Sequence, residues 1–136
     1  MAYINAEQVK AIRLALKKEF PEFKFSVTKR HHSEVDVRLL SGPSFDKQKL
    51  WIRGEDVVVD LNNYDSWSTI NHYHTYWYGK YEKFFNKIIE IIKTAPFKAG
   101  VGDLWFDESD SQTDYFHTAY YMSIGIGKWK KPYVVV

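Results

Sequence analysis

The chain has 136 residues, 19 of them basic and 17 acidic, with no cysteine and a net charge of +2. That length suits one domain, 1–136, with a core large enough to need no disulfide or metal. With 45% hydrophobic and 26% charged residues, disorder, a disulfide-framed toxin and a membrane-spanning protein are all excluded as expectations.

The first predicted element is a helix beginning at Ala6. Asn5 caps it and Gln8 takes the N3 place of a capping box, while Ile4 and Val9 form a hydrophobic staple. Val9, Ile12, Leu16 and Phe20 recur at helical spacing, and Pro21 ends the element. The period then switches to two. Phe23, Phe25 and Val27 alternate with Lys24, Ser26 and Thr28. After the break at His31-His32-Ser33, Val35, Val37 and Leu39 alternate with Glu34, Asp36 and Arg38. Two such runs across a short polar break predict an antiparallel hairpin, each strand with one buried face.

Residues 44–53 are expected to form a short helix ended by Gly54, and Val57-Val58-Val59 a strand. Ser68 to Thr75 reads as another strand, with Ile70, His72 and His74 on one face. Tyr81, Phe84, Phe85, Ile88, Ile89, Ile91 and Ile92 define a second, strongly amphipathic helix, with Pro96 as its stop. Leu104 to Phe106, Thr118 to Ile126 and Tyr133 to Val136 supply further strand candidates. The expected fold class is therefore α+β: a two-layer sandwich of two main helices on an antiparallel or mixed sheet. The 18% aromatic content is assigned mainly to its core.

The order Ile12-Arg13, Leu16-Lys17, Phe20-Pro21, Lys24-Phe25-Ser26-Val27, then the Glu34 to Val37 strand and Gly42-Pro43, resembles large polyvalent protein-associated domain 29. The resemblance covers residues 6–43. It implies a protein of a phage or conjugative element working inside a bacterial cell, on a host defence component or on incoming nucleic acid. It brings no catalytic residues with it.

Charge is unevenly spread. Residues 1–53 carry 11 bases against 6 acids, and residues 54–136 carry 8 against 11. Lys10, Arg13 and Lys17 form a basic stripe on the first helix, and Lys24, Lys29 and Arg30 follow on the hairpin. Lys128, Trp129 and Lys130 form a second basic–aromatic cluster, continued by Lys131. Lysines that hold phosphates beside aromatics that stack on bases suit single-stranded nucleic acid. The plainer reading is a packed Trp129 with solubilising lysines.

Chemistry-bearing motifs are few. His72 and His74 have the spacing of a metal-ligand pair, with His117 or Asp114 as a third ligand, but no second half-motif stands at a fixed distance. The acidic run from Asp103 to Asp114, with Asp107, Glu108 and Asp110, lacks the glycine and terminal glutamate of an EF-hand. No Gly-x-Ser-x-Gly elbow or phosphate-cradling glycine loop occurs. No metal or other cofactor is expected, and no catalytic residue is assigned. The N-terminus has no secretory leader pattern, so a cytoplasmic location away from membranes is expected. The expected function is non-enzymatic binding of a host or phage protein. A single-stranded nucleic-acid module is the first alternative and a metal-assisted enzyme the second.

Overall fold

A computed structural model describes residues 2–52, 54–63, 70, 72–107, 118–127 and 131–136. Within these residues there are two α-helices and six strands in two sheets, an α+β fold. Helix α1 spans Ala6–Glu19. The Asn5 side chain accepts from the Gln8 backbone N–H and the Gln8 side chain accepts from the Asn5 N–H, both at 2.9 Å. The capping box expected from sequence is thus complete, and Ile4 and Val9 are both buried as its staple.

Strands β1 (Lys24–Arg30) and β2 (Glu34–Gly42) form the expected antiparallel hairpin. Strand β5 (Tyr121–Ile126) pairs with β2 in parallel along residues 34–39, and β6 (Val134–Val135) continues the same edge at Ser41 and Gly42. The alternation read from sequence sets the two faces. Val27, Val35, Val37, Leu39, Met122, Ile124 and Ile126 share the helix face and are buried.

Helix α2 (Glu82–Lys98) covers that face together with α1. Its Phe84 meets Phe20 and Phe23 at ring distances of 5.0 Å, joining both helices and the hairpin in one aromatic cluster. Many of the described aromatics pack in or against this core, whereas Tyr3, Trp51, Tyr73 and Tyr76 are exposed. Pro96 does not stop α2; the helix runs on to Lys98. A proline deprives the carbonyl four residues earlier of its partner. Here that carbonyl belongs to Ile92, and the buried Tyr120 hydroxyl donates to it instead. Burial pushes the Tyr120 phenol well above its usual range, so it stays a donor.

Two other expectations are overturned. The segment expected to be a helix over 44–53 contains strand β3 (Gln48–Ile52), which pairs antiparallel with β4 (Glu55–Val59) as a separate hairpin. Gly54 has φ 83° and makes the hairpin turn, not a helix end. The strand expected over 68–75 is not formed by its described residues. Ile70 bonds β5 through one backbone contact to Ile124, His72 and Tyr73 lie in a turn, and Thr75–Tyr81 is 3₁₀ helix. That helix breaks at Gly79, whose φ of 58° and ψ of −122° only glycine adopts freely. The Gln48 side chain bridges this break, donating to Tyr78 O and accepting from Lys80 N, and so fastens the second hairpin to the core.

Candidate binding surface

The sheet has a second face, opposite the helices, and it is polar. Ser26, Thr28 and Arg30 of β1 lie beside Glu34, Asp36 and Arg38 of β2, which lie beside Ser123 and Gly125 of β5. From alternation alone these side chains should be solvated. Asp36 and Arg38 are instead buried, each 7% exposed. Arg38 Nε donates to Asp36 Oδ1 at 3.1 Å, and Arg30 reaches Asp36 Oδ2 at 3.4 Å. Two guanidiniums thus share the Asp36 carboxylate, and Glu34 stands on the same face opposite Arg30. Arg38 lies flat across Gly125, where any Cβ would overlap the guanidinium. Sequence reasoning missed this group. Its signal is the Asp-x-Arg spacing on β2 opposite a glycine in an otherwise bulky strand.

At the far end of the same face β2 carries one extra residue. Lys24 pairs with Ser41 and Phe25 with Leu39, so Leu40 is left over as a bulge. A groove of about 460 Å³ opens there. Leu40 and Ser41 form one side, Pro132, Val134 and Val136 the other, and Lys24 and Lys131 supply its cations. Val134 and Val136 are 55% and 82% exposed.

The expected binding residues therefore separate into groups. Lys24 lines the groove, and Arg30 belongs to the polar face with Asp36. Lys29 pairs opposite Val35 and so falls on the helix face, at its exposed end. Lys10, Arg13 and Lys17 are exposed along α1. Arg13 has a partner within the fold: its guanidinium donates to Val27 O at 2.8 Å, on the outer edge of β1. Lys128, Trp129 and Lys130 lie outside the described residues, but the chain leads from them into the groove wall at Lys131.

His72 and His74 each lie against a neighbouring aromatic ring. The His72 ring sits on Tyr73 at 4.2 Å and His74 stacks on Trp77 at 4.9 Å. Burial, and then the nearby Lys93, hold the His72 imidazole below its usual pKa. Among the described residues no three ligating side chains gather at one point. Asp114 and His117 lie outside them, as do Glu108 and Asp110 of the acidic run. Asp103 and Asp107 are exposed. Among the described residues no helix is long and apolar enough to cross a membrane.

Among the described residues the fold is α+β, its main sheet running β1-β2-β5 with β6 also paired to β2. The family model for large polyvalent protein associated domain 29 matches residues 3–125, so the resemblance read at residues 6–43 extends over nearly the whole chain. The chain belongs to that family. The groove wall from Lys131 onward lies beyond the matched residues. Neither the curated proteins nor the solved structures contain a match.

Proposed function

We propose that this chain is a non-catalytic binding protein of a phage or other mobile element, acting on a host defence or replication component. Its partner presents an anionic surface to the bulge groove and to the exposed side chains of β1. The observation that carries this reading is the meeting of Lys24, from the first strand, with Lys131, from the C-terminal segment, around one groove. Two cations far apart in sequence converge beside apolar walls, and such a mixed site fits a ligand with charge and a flat or apolar body. Heparin, a generic polyanion, provides the test. Wild type should be retained at about 50 mM salt and released at higher salt, as screened contacts are. The Lys24→Glu/Lys131→Glu variant should elute clearly earlier. Wild-type flow-through at low salt would refute the reading.

A protein-docking reading has its own support. Trp51, Tyr73 and Tyr76 are 72%, 75% and 59% exposed. Exposed aromatics of this kind are enriched at protein interfaces. Trp51→Ala and Tyr73→Ala would then abolish binding of a host protein partner that the lysine variant still binds.

A further inference from the structure

We infer that the anionic ligand is single-stranded nucleic acid, held at the bulge groove and tracked along β1. The inference rests on the anion-binding reading above and names its ligand class.

Three observations favour an unpaired polynucleotide. The first is size and lining. A groove of about 460 Å³ falls within the range that takes a small ligand, and here that is one nucleotide unit. Lys24 and Lys131 meet a phosphate, Ser41 offers a hydroxyl, and Leu40, Pro132 and Val134 accept the face of a base or sugar. Among the described residues no carboxylate side chain lines it. A duplex keeps its bases stacked inside and has no free base face to place there.

The second observation is a track. Lys24, Ser26, Thr28 and Arg30 alternate onto one face of β1, and six residues of strand span about 20 Å. Lys24 begins this line and Arg30 ends it, its side chain 52% exposed beside Asp36. A mononucleotide uses only the groove, whereas a chain of phosphates reaches both ends.

The third observation is continuity around the sheet edge. Arg13 grips Val27 O, so the α1 stripe lies against the same strand. Lys10 and Lys17 stand about one turn to either side of Arg13 and widen the cationic margin. Basic side chains are thus gathered along α1 and β1 in a chain whose net charge is only +2.

The test is fluorescence anisotropy with labelled dT12, its duplex with dA12, and thymidine monophosphate as competitor. Contacts at Lys24, Lys131 and Arg30 predict a plot of log affinity against log salt with a slope near −2, at about −0.7 per phosphate contact. Lys24→Ala/Lys131→Ala should weaken dT12 at least tenfold at low salt and flatten the slope by about 1.4. Lys83→Ala, on the exposed side of α2, should change neither. Circular dichroism melting keeps unfolded variants out of the comparison, and Lys24→Arg/Lys131→Arg should restore binding. Duplex as tight as dT12, or a lysine variant no weaker than Lys83→Ala, overturns the inference. Heparin retention without dT12 binding also overturns it, while leaving the anion-binding reading in place. Failure of both probes removes both.

Discussion

Tyr120 shows how one side chain reconciles two conflicting residues. Pro96 belongs to the packed inner face of α2 and is buried, yet it leaves Ile92 O without its helical donor. The Tyr120 hydroxyl fills that gap from the segment leading into β5. Tyr120→Phe should therefore cost about 1–3 kcal/mol, the penalty for a buried carbonyl left without a partner. Pro96→Ala should be close to neutral in wild type, since the N–H it introduces would compete for a carbonyl already satisfied. In the Tyr120→Phe background, however, it should recover much of the loss by restoring an N–H beneath Ile92 O. Denaturant melts of the four proteins measure this coupling, and simple additivity would disprove it. Tyr133 is a similar case at lower stakes: its hydroxyl donates to Pro43 O at 2.7 Å, and burial pushes its pKa up to about 12. Periodicity puts Tyr120 in line with Met122, Ile124 and Ile126. It could not say which carbonyl the hydroxyl would find, because the partner lies 28 residues away on a different element.

Among the elements, the β1–β2 hairpin joins good strand chemistry to a poor turn. His31 and His32 both have positive φ, 51° and 64°, where a side chain with Cβ is disfavoured and Asn-Gly is the usual solution. Neighbours hold the turn in place: Ile4 N donates to His32 O at 2.7 Å, Tyr121 N to Ser33 O at 2.8 Å, and Ser33 N to Arg30 O at 3.1 Å. Replacing His31-His32 by Asn-Gly should remove about 1 kcal/mol of strain and raise the melting temperature by roughly 3–6 °C. Calorimetry is the check, and a fall in melting temperature would mean that the imidazoles make compensating contacts. The β3–β4 hairpin illustrates the opposite problem. Gly54 and the apolar run Leu50-Trp51-Ile52 suit a helix end or a hairpin turn equally well by local pattern. Pairing with the Val57-Val58-Val59 strand decides the matter, and that is a contact between segments. The segment at residues 72–75 likewise alternates in sequence but turns, because alternation over so few residues competes weakly with the 3₁₀ start at Thr75.

Across the whole molecule, α1 and the sheet edge act together. Among the described residues strand β1 ends the main sheet, and an open edge invites pairing with another chain. Arg13 covers the outward carbonyl of Val27, and Lys24, Lys29 and Arg30 charge the rest of the strand. Arg13→Ala should therefore lower stability by about 0.5–1.5 kcal/mol, as loss of one such bond does, and increase self-association. Lys17→Ala should do neither. Sedimentation velocity at increasing concentration separates the two, and a monomeric, fully stable Arg13→Ala protein would show that the bond contributes nothing.

The sequence by itself determined α1 with its capping box, the antiparallel hairpin, the inner face of α2 and the α+β class. These follow from local pattern, where the spacing of apolar side chains and the chemistry of a cap act within a few residues. Only the tertiary structure decided that Asp36 and Arg38 are buried on the second sheet face, since alternation marks that face as polar without saying what lies over it. It alone brought Lys24 to Lys131, and left Leu40 over as a bulge. The first depends on the register with which β6 adds to β2, the second on the register of β1 against β2. Register is fixed when distant segments pack and pair, and no stretch of the chain carries that information alone.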